Sequence, residues 1–171
     1  MNILRKRMMK IALPEDFLST TKNKFLLLDT CVFIDAFSHP SEFANFFNKL
    51  KENNTTLVTI DIVLFEFLKG SPTESKFNEK KKYLEDIVEA FLPIRDYQTQ
   101  VEKLIKDYKI ESKDLSITDL YLGATLIKYK EKICLLTKDL SDFPAYIFER
   151  ITFLNLLHSK TIHPYGVYCY K

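Results

Sequence analysis

The sequence predicts an α/β protein, a three-layer α/β/α sandwich around a central, mainly parallel sheet of four to five strands. Three observations carry this. The apolar runs at residues 25–28 and 133–136 are continuous rather than alternating, as in strands buried on both faces. Segments with apolar residues at helical spacing stand between such runs, and alternating strands and helices give parallel sheets covered by helices. At 171 residues the chain suits one domain that buries roughly 70% of its unfolded surface, so it needs no disulfide or structural metal.

The elements follow in order. Phe25-Leu-Leu-Leu-Asp29 reads as a first strand that ends in an acid. Residues 41–51 carry Phe43, Phe46, Phe47 and Leu50 on one helical face, and Asn53-Asn54 breaks that helix. Residues 56–60 read as a second strand. Asp61 opens a helix through Lys69, which Gly70, Ser71 and Pro72 end. Residues 74–90 form a charged, solvent-facing helix, and residues 90–94 a short third strand. Val101, Leu104, Ile105 and Tyr108 mark one face of a helix over 96–108. Ser116 starts another that runs to Tyr129. Residues 133–137 are a fourth strand and 151–154 a fifth. No element is assigned to residues 1–24 or 155–171, and the boundaries are a basic extension over 1–24 and a single domain over 25–171.

Composition excludes several classes. With 46% hydrophobic and 28% charged residues the chain is not disordered, and 3 Gly and 6 Pro exclude collagen-like or linker-like sequence. The net charge of +2 is not that of a protein that coats nucleic acid. Charge is nevertheless uneven. Arg5, Lys6, Arg7, Lys10, Lys22 and Lys24 face only Glu15 and Asp16, which makes residues 1–24 a +4 arm. Such an arm can touch phosphates, or simply solubilise a terminus. Cys31, Cys134 and Cys169 form no CxxC pair and suit a reducing cytoplasm. No apolar run approaches the ~18–20 residues that span a bilayer, so a soluble, cytoplasmic protein is expected.

Ligands of open parallel sheets bind outside the carboxyl ends of the strands. Four segments bring carboxylates there: Asp29 ends strand one, Glu66 lies on the helix after strand two, Asp119 lies in the first turn of its helix, and Asp139 follows strand four with Asp142 close behind. Each acid also has a local explanation. Asp29 can cap the next helix, Asp119 completes the capping box Ser116-Ile-Thr-Asp119, and Asp139 and Asp142 can serve a turn. Glu66 lies among apolar residues in Ile62-Val-Leu-Phe-Glu-Phe-Leu68, where a buried, unpaired carboxylate costs several kcal/mol. Their joint position is the stronger observation. Gathered carboxylates stay ionised only around a cation, and oxygen donors without His or thiolate suit Mg²⁺ or Mn²⁺, ions that commonly serve phosphoryl chemistry.

At these residues the chain resembles the PIN-domain nucleases, including the VapC-like toxins of toxin–antitoxin systems, over about residues 25–154. Phe25-Leu-Leu-Leu-Asp-Thr-Cys-Val-Phe-Ile-Asp35 is similar to the family's opening strand with Asp-Thr and a hydrophobic helix start. Val63-Leu-Phe-Glu66-Phe-Leu resembles its helix-borne Glu. Asp119-Leu-Tyr-Leu-Gly-Ala-Thr-Leu126 resembles its Asp before a small-residue helix, and Leu135-Leu-Thr-Lys-Asp-Leu-Ser-Asp-Phe143 its last strand and acidic turn. The resemblance implies a Mg²⁺- or Mn²⁺-dependent endoribonuclease. Asp29, Glu66, Asp119 and Asp139 would be the catalytic, metal-binding acids, with Asp142 a further metal-site acid and Thr30 and Thr137 supporting hydroxyls. The implied partners are an RNA substrate, an antitoxin protein and a second copy of the chain. Cys31 departs from the pattern, where Asn is usual. The rival reading is a catalytically silent PIN-like module that acts through protein or RNA contacts.

Other features have plainer readings. A haloacid-dehalogenase phosphatase needs an Asp where Cys31 stands, and a phosphoacceptor receiver needs an acidic pair after strand one. His39, His158 and His163 share no motif spacing. Tyr165, Tyr168 and Tyr170 can stack bases or pack an edge. Lys80-Lys-Lys82 reads as a solvated helix face that can also guide a phosphate backbone.

Overall fold

The computed structural model describes residues 9–108, 115–158 and 161–171. In chain order the elements are β1 (Met9–Ala12), α1 (Phe17–Thr21), β2 (Phe25–Leu28), α2 (Thr30–Ser38), α3 (Pro40–Glu52), β3 (Thr56–Thr59), α4 (Asp61–Lys69), α5 (Glu74–Ile87), β4 (Ala90–Phe91), α6 (Gln98–Asp107), α7 (Ile117–Tyr129), a 3-10 turn (Lys130–Lys132), β5 (Ile133–Thr137), β6 (Phe148–His158) and β7 (Thr161–Tyr170). One seven-stranded sheet has the order β1-β6-β7-β5-β2-β3-β4. Four neighbours, β5, β2, β3 and β4, are parallel. The other three strands join antiparallel, β7 on β5, β6 on β7 and β1 on β6.

The α/β class and the parallel centre are as expected, and the sheet is larger than four to five strands. The strand expected at 151–154 is the middle of β6, an eleven-residue strand that runs antiparallel to β7. The third strand shrinks to Ala90–Phe91, and the charged helix stops at Ile87. α2 begins directly after β2, inside what reads as one continuous apolar run. Within residues 9–24, β1 pairs with β6 and Phe17 is fully buried. Arg5, Lys6 and Arg7, which carry much of the arm's charge, lie outside the described residues.

Continuous burial holds the centre together. Leu26, Leu27, Leu28 and all residues from Ile133 to Thr137 are shielded from solvent. The aromatic face of α3 packs as expected: Phe43, Phe46 and Phe47 are buried, and the Phe46 ring meets Phe17 with centroids 5.9 Å apart. Asn54, with φ of 59°, adopts the left-handed turn after α3, which Asn tolerates better than most residues. Of the two readings of the C-terminal tyrosines, packing holds for Tyr165 and Tyr168. Tyr165 and Tyr168 are buried in β7 and offer bases no face. On α5, Lys81 and Lys82 pair with Glu85 and Asp86 along the helix, as a solvated face does. No described helix is long and apolar enough to cross a membrane.

This topology creates the site. From β2 the chain proceeds outward to β3 and β4, then returns across the sheet to β5 on the other side of β2. Between β2 and β5 the strand order reverses, and the carboxyl ends there diverge into a crevice. Asp29 follows β2 and Asp139 follows β5 at that point.

Candidate active site

Asp29 sits at the helix start because β2 must end there. It is the N-cap of α2, with extended backbone, and its Oδ1 accepts the Thr30 N–H at 2.6 Å. Its Oδ2 accepts the Thr137 hydroxyl at 2.5 Å and the Cys31 thiol at 3.4 Å. Thr137 also accepts the Asp139 N–H at 3.0 Å. One hydroxyl at the end of β5 therefore fixes acids on both strand ends.

The remaining acids arrive from the helices. Thr30 donates its hydroxyl to Glu66 Oε2 at 2.6 Å, which ties α4 to the start of α2. Asp119 completes the capping box of α7, accepting the Ser116 hydroxyl at 2.6 Å and its N–H at 3.2 Å. Its cap role and its place in the site are not alternatives, since the same carboxylate lines the crevice. Asp29, Glu66, Asp119, Asp139 and Asp142 all line one open cleft of about 320 Å³, together with Thr30 and Ser116.

Glu66 differs from expectation in one respect. Its apolar surroundings in sequence suggest a nearly buried helix, yet Glu66 is exposed, and its neighbour Phe65 is 64% exposed. α4 buries Val63, Leu64, Phe67 and Leu68 only, so the acid stands at the cleft wall. A larger cleft of about 680 Å³ lies between α6 and the end of β7, lined by Lys106, Tyr108, Tyr146 and Lys171. It gathers no group of carboxylates, so chemistry rather than size singles out the acid cleft.

Electrostatics match the crowding. Burial pushes the Asp29 carboxyl up to about 6 from an ordinary 3.8; Asp139 adds to the rise, and the hydrogen bonds from Thr137, Thr30 and Cys31 oppose it. Burial also raises Asp119, with help from Asp142 and Asp139, against the bonds from Ser116. Asp139 is raised by burial, by Asp142 and by Glu66, while Lys138 opposes. Three neighbouring acids thus hold their protons more tightly than free carboxylates, chiefly because burial disfavours their charge and secondarily because like charges adjoin.

Two groups at the site were not legible as site residues. Cys31 lines the same cleft, and its Sγ, an Asp29 oxygen and an Asp139 oxygen all lie within 4.8 Å of one another. Behind it, Lys138 Nζ pairs with Asp35 Oδ2 at 2.7 Å, and the Tyr165 hydroxyl donates to the same oxygen. Burial, with Asp35 adding, pushes the Tyr165 phenol far up. This strap joins α2, β7 and the loop that carries Asp139. The Asp35-to-Lys138 separation hides it from sequence reading, although Asp35 falls within the quoted opening motif.

The donor set fits a divalent cation. It is rich in carboxylate oxygen and contains no imidazole, which suits hard ions, with one thiol as the exception. A PIN domain family model matches residues 26–148 of the chain. No curated protein and no solved structure matches it.

Proposed function

The chain belongs to the PIN-domain family, and from that premise we propose that it is a metal-dependent endoribonuclease that hydrolyses RNA phosphodiester bonds with Mg²⁺ or Mn²⁺. The observation that supports this most is the convergence of five carboxylates from four segments on one cleft at the strand-order reversal. In this reading Asp29, Glu66, Asp119 and Asp139 hold the cation, and Asp142 adds negative charge at its edge. The bound ion would supply an activated water and a counter-charge for the leaving oxygen.

The chain's own residues prepare that chemistry. Asp29 is held at both oxygens, so it presents a fixed orientation. Thr30 aims Glu66 into the cleft while its backbone N–H holds Asp29, so a single residue aligns two acids. Ser116 does the same for Asp119 from the start of α7. The silent-module alternative gives no account of this arrangement, since grouped acids repel and a module without a cation gains nothing from them. In this reading the protein acts in a reducing cytoplasm, which three cysteines without a CxxC pair suit. A role as the toxin of a toxin–antitoxin pair is the finer form of this reading and rests on motif resemblance to VapC-like proteins.

The test is RNA cleavage with and without chelator. EDTA stops cleavage and added Mn²⁺ restores it. Cleavage that persists under full chelation overturns the mechanism.

A further inference from the structure

Cys31 is out of character among hard oxygen donors, and the structure holds its sulfur firmly in the cleft. It is the second residue of α2, two positions after the cap Asp29. The Lys138 N–H donates to Sγ at 3.3 Å, and the Thr137 hydroxyl lies 3.8 Å away. Sγ is therefore positioned by both strand-end segments that flank the crevice. It lies 3.4 Å from Asp29 Oδ2, to which its S–H points. The Asp139 carboxylate closes the group, all three donor atoms lying within 4.8 Å of one another.

The 3.4 Å separation has a geometric meaning. With bonds of about 2.3 Å to sulfur and about 2.1 Å to oxygen, a sulfur and a carboxylate oxygen this close could both reach one cation. As a ligand, Cys31 would give its thiol proton to solvent and hold the cation through sulfur.

We propose that Cys31 is a thiolate ligand of the cleft's cation and biases the site from Mg²⁺ toward Mn²⁺ and, more strongly, toward thiophilic divalent ions such as Co²⁺ and Cd²⁺. Soft sulfur donors favour such ions, whereas an amide or hydroxyl at the same position does not. This rests on the metal-dependent reading above, and it concerns the choice of ion rather than the reaction.

The test follows binding rather than cleavage. Wild type, Cys31→Ser and Cys169→Ser are titrated with Co²⁺, with heat and near-ultraviolet absorption recorded together. Serine keeps the donor and acceptor roles of the thiol but gives no thiolate-to-cobalt charge-transfer band. Wild type and Cys169→Ser are expected to show the band and Cys31→Ser to lose it. In Cys31→Ser, Cd²⁺ affinity falls by roughly tenfold or more while Mg²⁺ affinity stays within about twofold, the first figure being what loss of even a supporting partner costs. Should Cys31→Ser melt well below wild type, Cys31→Asn is titrated in its place. Co²⁺ binding to wild type without the band overturns the proposal and leaves the metal reading intact, Cys31 then being a hydrogen-bonding residue only. A band that survives in Cys31→Ser does the same. Absence of any ion binding to wild type overturns both.

Discussion

The two halves of the sheet are built for different ends. The parallel half, β5-β2-β3-β4, is short-stranded and buried along β5 and most of β2 and β3, and every acid of the cleft stands beyond its strand ends or on the helices that connect its strands. The antiparallel half, β1-β6-β7, is longer and two-faced. Leu154 and Leu156 are buried on β6 while Phe153, just before them, is 46% exposed, and Ile162 on β7 is 61% exposed. It contributes no residue to the cleft wall. One half gathers like charges at a cost in stability, and the other supplies packing. Substitutions in the two halves should therefore separate function from stability.

The sharpest separation is expected at Asp29. Asp29→Asn keeps the side-chain shape and an oxygen for the Thr30 N–H, but it removes the charge and puts a donating amide where Oδ2 accepts from Thr137 and Cys31; cleavage should fall by roughly a thousandfold or more, several kcal/mol of catalysis. Without metal the effect on stability has the opposite sign. A carboxyl raised from 3.8 to about 6 on folding stabilises the protein fully at pH values below 4 and loses that contribution as pH rises through 6. Wild type in EDTA should thus lose on the order of 3 kcal/mol between pH 4 and pH 8 from this group. Melting curves across that range should be flatter for the variant. An equal slope in both proteins would break the link between burial and charge at Asp29.

Leu156→Ala probes the other half. It empties a buried site on β6, opposite Ile11 and His163, and should cost about 2–5 kcal/mol. The rise in Tm on adding Mn²⁺ should match that of wild type. If the Mn²⁺ shift shrinks as well, the halves are not independent.

Asp119→Asn gives an intermediate effect, because Asp119 serves both cap and cleft. In EDTA at pH 8 its Tm should lie close to or above wild type, since relief of repulsion offsets a weaker cap worth about 0.3–1 kcal/mol. With Mn²⁺ at a hundredfold excess over Kd, wild type gains about 2.7 kcal/mol, and the variant should gain much less. Equal gains would reduce Asp119 to a helix cap.

The smallest effect is expected at Thr30→Val. It removes the hydroxyl bond to Glu66 and leaves the backbone bond to Asp29. Mn²⁺ affinity measured by calorimetry should weaken by about tenfold, with Tm in EDTA nearly unchanged.

The same division explains what could be read from sequence. Parallel strands announce themselves as unbroken apolar runs, and the α7 start as a capping box, so the acid-bearing half was legible and its acids with it. α2 was anticipated only as the helix that Asp29 caps, without bounds of its own, because Cys31, Val32, Phe33 and Ile34 continue the run of β2 with no polar punctuation except Asp29 and Thr30. β7 was hidden because His163, Pro164 and Gly166 interrupt any strand pattern, and Pro164 removes a ladder donor. Pairing with β6 along its whole length overrides that local preference. In the site, carboxylates were found by topology. Cys31 was not, because a lone thiol has no spacing signature and becomes a candidate only when Asp29 and Asp139 are seen beside it. The exposure of Glu66 was likewise set by tertiary packing: α4 turns its other apolar residues inward and leaves Phe65 and Glu66 at the surface.

β1 has a consequence for handling the protein. Its four residues cover Asn155–His158 on the outer side of β6, while the opposite end of the sheet closes on the two-residue β4. An uncovered strand edge is a template for another chain. Trimming the N-terminus back to Lys24, which charge alone would recommend, strips that cover from an apolar stretch of β6 and removes buried Phe17 with it. The trimmed protein is expected to self-associate through β6 and to be recovered as aggregate, so the first strand acts as a guard against polymerisation.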